Sequence, residues 1–293
     1  MSDPSTTASP SSSVATPRRT SPLHEAVRLR NNVRVVGRGS QPMLFAHGFG
    51  CDQNMWRFVA PAFEDRWQTV LFDYVGSGKS DLSAFDPQRY SRLDGYAQDV
   101  LEVCEALDLR DVVFVGHSVS SMVGLLAAQR QPQRFACLVM IGPSPCYIND
   151  PPYHGGFERA DIEGLLSLMD HNYIGWAGAL APMVMANADR PELAGELQDS
   201  FCSTDPGAAR TFARATFFSD NREDIARASL PSLIVQVSDD AIAPQSVGRW
   251  MHERMPTSEF VLLDAVGHCP HISHPQATIE AMRPFVERHR VPR

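Results

Sequence analysis

Three residue types on widely separated stretches of the chain have the makings of acyl-transfer chemistry. Ser118 stands in VFVGHSVSS (113–121), behind the apolar run VVFV and ahead of a helix-like stretch. The pattern Gly-x-Ser-x-Gly marks a nucleophile on a sharp strand-to-helix turn, where strand and helix approach so closely that only small residues fit two places either side. Gly116 fills the earlier place. The later one holds Ser120, which adds a hydroxymethyl group and keeps the place small. The rival reading is a serine that merely packs or caps the start of a helix.

A serine hydroxyl needs a base, and the base needs an acid to orient it. On an α/β sheet these occur in the chain order Ser, then Asp or Glu, then His. GHCPHISHP (267–275) offers His268 behind a glycine that frees the turn. SLIVQVSDDAIAP (232–244) offers Asp240, favoured because Pro244 suits a loop turning away into the next helix; Asp239 is the alternative. Asp264 is weaker, because it sits close to the histidine on the same strand and loop. An anionic intermediate also requires two donors aimed where charge develops. HGFG (47–50) follows a strand, as the HGGG-type loops of esterases do, which makes the backbone N–H groups of Phe49 and Val119 the expected pair. His47 itself reads as structural.

Two other phrases suggest different chemistry and fail. His268, His271 and His274 spell H-x-x-H-x-x-H, but Pro270 and Pro275 break any helix carrying them, and no carboxylate or cysteine cluster completes a zinc set. No metal is expected; His271 and His274 read as ordinary loop or helix-start residues and Cys269 as a packed thiol. VGSGKSD (75–81) ends like a phosphate-binding loop, but Asp73 stands where that loop needs glycine, and its charge repels phosphate. Asp73 is expected to cap a glycine turn instead.

The elements that must position these residues alternate along the chain. VRVVG (33–37), MLFAHG (43–48), TVLFD (69–73), VVFVG (112–116), ACLVMIG (136–142), SLIVQVS (232–238) and EFVLLD (259–264) read as strands. Most are short continuous apolar runs, the signature of strands buried on both faces of a parallel sheet. Helical patterns lie between them at 93–109, where Tyr96, Val100, Val103 and Leu107 share a face, at 119–130 and at 277–289. The class is therefore α/β, a mostly parallel, doubly wound sheet. Between about 146 and 227 the strand signal stops and helical patterns rich in Met, Phe, Tyr and Trp take over (163–183, 192–201, 208–218). Such an insertion sits best above the carboxyl ends of the strands, where it roofs a ligand site. It reads as a lid.

Bulk properties narrow the class further. The chain has 293 residues, enough for a sizeable core, and a formal charge of −8, which weighs against nucleic acid or an anionic membrane as partner. Its apolar runs are too short to span a bilayer. Six cysteines lie scattered without C-x-x-C spacing, which suits a reduced, cytoplasmic chain. Residues 1–22, rich in Ser, Thr and Pro, have too little apolar surface to order themselves and read as a disordered tail before a domain over 23–293.

HGFGCDQNMW, VLFDYVGSGKSDL, GHSVSSMVG, GPSPCYINDPPYHGGFE, NYIGWA, FCSTDP, FFSDNRED and GHCPHISHP together resemble the RsbQ family, bacterial α/β-hydrolases of stress signalling. The family is similar to the plant karrikin and strigolactone receptors, and GHSVS in particular resembles those receptors. The resemblance implies an α/β-hydrolase fold with a four-helix lid over a hydrophobic pocket, and it maps a triad onto Ser118, Asp240 and His268. It also implies that Phe49, Tyr147, Phe157, Trp176, Leu180 and Phe217 line the pocket. The expected activity is hydrolysis of a small hydrophobic ester or lactone through an acyl-enzyme, without cofactor. A serine nucleophile, unlike an aspartate, disfavours halide and epoxide opening. The alternative is a ligand-sensing module read by a partner, which in the bacterial family is a PAS-containing serine phosphatase.

Overall fold

The computed structural model describes residues 21–291. The expected tail lies outside them up to residue 20; Ser21 and Pro22 already belong to the first helix, α1 (Pro22–Arg30), whose N-terminus Ser21 caps. The sequence pattern does not reveal α1, and the reason is physical. None of its residues is fully buried: of its apolar side chains Val27 packs at the core's margin, and Leu23 and Leu29 stay exposed. Polar ties hold its C-terminal end instead: Arg30 pairs with Glu102 at 2.6 Å, and the Asn31 amide donates to the Asp73 carbonyl at 3.0 Å.

The chain then runs β1 (Arg34–Val36), β2 (Pro42–Ala46), β3 (Gln68–Leu71), α2 (Leu93–Ala106), β4 (Val112–His117), α3 (Val119–Arg130) and β5 (Phe135–Ile141). After an inserted segment come β6 (Ser232–Asp239), then a helix, β7 (Ser258–Val266) and two closing helices, all numbered below in chain order. Among the described residues these strands form one seven-stranded sheet in the order β1-β3-β2-β4-β5-β6-β7. Only β1 runs antiparallel, against β3; every other pairing is parallel.

Period-two alternation divides each central strand between two cores. Leu44, Phe114, Leu138, Met140 and Ile234 face the side covered by α2 and α3. Met43, Phe45, Val113, Val115, Val139, Ile141 and Val235 face the other side, against Trp56, Phe63 and the last helix. Burial on both faces is why these strands read as unbroken apolar runs.

The inserted segment holds α4 (Arg159–His171), α5 (Tyr173–Met185), α6 (Pro191–Ser203), α7 (Pro206–Phe217) and the short α8 (Arg222–Ala226). The sequence pattern treats 163–183 as one helix; the structure breaks it at Asn172. That residue leaves helical geometry, and its side chain accepts from Gly175 N–H at 2.9 Å, capping α5. Asp205 does the same for α7, accepting from Gly207 and Ala208 N–H at 2.9 Å each. Buried side chains of α4–α7, including Ile162, Trp176, Leu180, Leu197, Phe201 and Phe217, form a third core above the sheet. Beyond β6 lies α9 (Gln245–His252), and beyond β7 lie α10 (Pro270–Ser273) and α11 (Pro275–Arg288). No helix among the described residues is long and apolar enough to cross a membrane.

Candidate active site

Ser118 sits between β4 and α3 with φ 56° and ψ −126°, a backbone conformation that a residue with a Cβ adopts only under constraint. The constraint is visible on both sides. Ser118 N–H donates to the Ile141 carbonyl on β5 at 2.8 Å, and its own carbonyl accepts from Ser121 N–H at 2.9 Å. The turn is so tight that a Cβ on residue 116 would lie 2.6 Å from the Ser120 carbonyl, so Gly116 is obligatory.

His268 follows β7 across Gly267, whose φ of 92° and contact with the Met185 carbonyl leave no room for a side chain. Its backbone is gripped twice. His268 N–H donates to the Val184 carbonyl of α5 at 2.7 Å, and the His117 Nε2–H donates to the His268 carbonyl at 2.8 Å.

The side chains of Ser118, His268 and Asp240 form one hydrogen-bonded chain. His268 Nδ1 lies 2.7 Å from Asp240 Oδ2, and His268 Nε2 lies 2.7 Å from Ser118 Oγ. A carboxylate only accepts, so the imidazole proton sits on Nδ1 and Nε2 is left to accept from the serine hydroxyl. Asp240 Oδ1 accepts from Ile242 and Ala243 N–H at 2.8 and 3.0 Å. Burial alone would raise its pKa, but the His268 ring and these donors outweigh it and hold the carboxyl below the usual range. All three residues are buried, and Ser118 and His268 border a pocket.

Asp239, the alternative acid, stays in the β6–β7 ladder opposite Val266 with its side chain exposed, and only its carbonyl takes part, accepting from Gly267 N–H at 2.8 Å. Asp264 is also exposed, on β7. The three histidines point to different tasks. His271 is fully buried in α10, its ring 4.7 Å from Trp56 and 4.3 Å from His117, while His274 stands at the N-cap position of α11 with its ring nitrogen 2.9 Å from Ser273 Oγ. Burial, then the neighbouring His117, holds His271 well below the ordinary imidazole pKa; burial and His268 hold His117 down to about 3. Cys269 is a buried thiol, and burial raises its pKa. Asp73 closes its turn as expected: Oδ2 accepts from Lys79 N–H at 2.9 Å and Oδ1 from Gln53 N–H at 2.8 Å.

The loop 47–50 lies alongside. A Cβ on Gly48 would stand 3.4 Å from Ser118 Cβ, so the Gly48–Phe49 peptide runs past Ser118, and Val119 directly follows that serine in the chain. Phe49 lines the pocket together with Tyr147, Leu180 and Phe217. Two residues expected on that wall stand elsewhere. Trp176 is fully buried behind it, packing on Phe49 and Phe201 at ring distances of 5.9 and 5.1 Å. Phe157 packs at the margin of the lid core, its N–H bound to the Tyr147 carbonyl at 3.0 Å. In their place the wall carries Val184, Leu197, Phe201, Thr216 and Ile242. Leu180 with Val184 and Leu197 with Phe201 have i, i+4 spacing, the one signal available in advance, but it does not say which helix face looks inward.

Tyr147 deserves separate mention among the wall residues, because its hydroxyl lies 3.3 Å from Ser118 Oγ. The serine proton is committed to His268, so Tyr147 is the donor in that pair. Burial raises the Tyr147 pKa, which keeps its hydroxyl protonated for that role.

A strained serine on a strand-to-helix turn of a mostly parallel sheet, facing a histidine and a carboxylate from two later loops, defines a class. The model of the alpha/beta hydrolase family matches residues 43–281, and the chain belongs to that family. The chain is 38% identical over 246 residues to a strigolactone esterase of Pisum sativum, covering 83% of this chain and 92% of the relative. It is 34% identical over 253 residues to a karrikin insensitive 2 receptor of Petunia hybrida, covering 86% and 94%. Among solved structures, a hydrolase from Oleispira antarctica superposes with a TM-score of 0.88 at 49% identity, covering 90% of this chain and 97% of that one.

Proposed function

We propose that the protein is a serine hydrolase that cleaves a small hydrophobic ester or lactone. The observation that carries this reading is the continuous chain Asp240–His268–Ser118, with both links at 2.7 Å, opening on an apolar pocket. The mechanism follows from the donors and acceptors. His268 Nε2 takes the Ser118 proton as Oγ attacks the carbonyl carbon, and Asp240 stabilises the imidazolium that forms. Negative charge on the carbonyl oxygen rests on the N–H groups of Phe49 and Val119. The imidazolium then returns its proton to the departing alkoxide, leaving an acyl group on Ser118. Water, activated by the same imidazole, releases the acid. Protein groups and water handle every proton and electron pair, so the sequence of steps calls for no cofactor. The work is assigned to the cytoplasm, where the six cysteines stay reduced.

The test is Ser118→Ala with p-nitrophenyl acetate. The rate should fall at least ~10⁴-fold while the circular dichroism spectrum is unchanged. A variant that kept the wild-type rate would rule out the mechanism.

A second reading is supported by the likeness to a plant receptor. In it, ligand binding or slow turnover reshapes the lid, and a partner such as a PAS-containing serine phosphatase reads the change. Turnover separates the two. Rapid hydrolysis of an ester with no effect of a partner favours metabolism; very slow hydrolysis with ligand-dependent partner binding favours sensing.

A further inference from the structure

The two proposed oxyanion donors come from different parts of the chain, and something must fix the gap between them. The β2–β4 ladder brings the segments together but ends at the pair Ala46 and Gly116, short of both donors. Beyond it, Ser120 Oγ donates to the His47 carbonyl at 2.5 Å, joining residues 73 positions apart in sequence. This bond lies next to Val119 on one side and two residues before Phe49 on the other.

The Ser120 hydroxyl has one proton, and the His47 carbonyl can only accept it. The Tyr74 hydroxyl, 2.9 Å from Ser120 Oγ, is therefore the donor in the second bond. Tyr74 also holds His47 from its backbone, with its N–H 3.3 Å from His47 Nε2. That leaves the His47 proton on Nδ1, which donates to the Gly48 carbonyl at 2.9 Å. In a trans peptide the C=O and the N–H point in opposite directions. Fixing the Gly48 carbonyl thus aims the Phe49 N–H. All the side chains in this chain of bonds are fully buried, so water does not compete for the bonds and each removed hydroxyl leaves a partner unsatisfied.

We propose that Ser120 is the positioning residue of the oxyanion site: its hydroxyl, backed by Tyr74, locks the loop carrying Phe49 N–H to the helix start carrying Val119 N–H. The serine at the last place of the elbow is then a functional departure from glycine. The proposal rests on the hydrolase reading above and is tested separately from it.

The experiment compares Ser120→Gly, Ser120→Ala and Tyr74→Phe, with the concentration of competent sites counted by a fluorophosphonate that labels Ser118. Per competent site, both Ser120 variants should lose about 10- to 50-fold in kcat on p-nitrophenyl butyrate, with KM changed less than about twofold. The inhibition constant of an alkylboronic acid, whose adduct with Ser118 is tetrahedral and anionic, should rise by the same factor as kcat falls. Tyr74→Phe should lose less, about two- to fivefold in kcat. A wild-type kcat per site with unchanged boronate affinity would overturn the proposal, and so would a loss confined to the number of competent sites or to KM. In either of those cases an inactive Ser118→Ala would leave the hydrolase reading standing.

Discussion

The floor and the roof of the pocket are built on different physics. The floor, formed by residues 47–50, 117–121, Asp240 and His268, is a network of short directional hydrogen bonds in which nearly every distance is dictated by a donor and an acceptor. The roof, formed by α4–α7, is held by aromatic packing: Trp176 meets Tyr173 and Phe201 at centroid distances of 5.4 and 5.1 Å, and the floor's Phe49 ring reaches up to Trp176, Phe201, Phe212 and Phe217 at 5.7 to 6.1 Å. Packing of this kind is non-directional and tolerates exchange of volume between neighbours. Hydrogen-bonded charge does not tolerate displacement. On the proposed mechanism this is a division of labour in which the floor fixes rate and the roof fixes which molecules fit.

The two regions touch through few polar links. His268 N–H reaches the Val184 carbonyl at 2.7 Å and Ser200 Oγ donates to the Gly50 carbonyl at 2.8 Å; beside the floor, Arg57 pairs with Glu196 at 2.7 Å. The first of these is notable because it ties His268 to the roof. Motion of α5 therefore bears directly on His268.

The largest expected effect lies in the floor. Asp240→Asn keeps the shape but leaves the wrong imidazole tautomer, and kcat on p-nitrophenyl acetate should fall ~10⁴-fold without loss of helix signal. A loss as small as that of any roof variant would erase the distinction between the regions.

Acid should also strike the floor first. His117 is held down to about 3 and His271 well below the ordinary value, chiefly by burial. Below about 6.5 the unfolded chain binds protons on these residues that the folded chain refuses, so stability is greatest above that pH and declines as pH falls. His117 contributes to that decline as pH falls from about 6.5 toward about 3. Urea midpoints at pH 7.5, 6 and 4.5 measure it, and a flat profile over that range would contradict the burial of neutral imidazoles.

In the roof, Leu180→Ala enlarges the pocket without touching a hydrogen bond of the floor. The ratio of kcat/KM for a hexanoate over an acetate ester should shift about tenfold, with the acetate rate changed by less than about threefold. Equal losses on both esters would mean the side chain only supports the fold. The smallest effect belongs to a link between the regions. Ser200→Ala should cost about 1 kcal/mol in urea unfolding and leave kcat on acetate close to wild type.

The sequence was most legible where one residue type has few uses. Strands β2 to β6 are legible because burial on both faces leaves continuous apolar runs, whereas β1 and β7 are edge strands and only partly buried; the elbow is legible because Gly116, Ser118 and the strand–turn–helix context occur together. The choice between Asp239 and Asp240 turned on something no local pattern displays. The β6–β7 register shifts between Val237 and Asp239, so the ladder holds Asp239 outward and releases Asp240 into the turn that faces His268. The roof was legible as helices but not as faces. In α5 apolar residues surround much of the helix, which is why Trp176 was expected on the pocket wall and stands behind it. The break at Asn172 was hidden for a related reason, because the apolar pattern continues across it while a single side-chain cap interrupts the backbone.

By itself the sequence determined the order of the elements, the family, and the residue types able to supply a nucleophile, a base and an acid. Local propensity, the two-residue strand period and the size limit at a tight turn are all properties of neighbouring residues. The tertiary structure alone decided that a hydroxyl and an imidazole 150 positions apart meet at 2.7 Å, and that the hydroxyl of Ser120 bridges two segments instead of facing its own helix. Such distances are set by sheet registers and loop closures acting together, and hydrogen bonding changes steeply within a few tenths of an ångström.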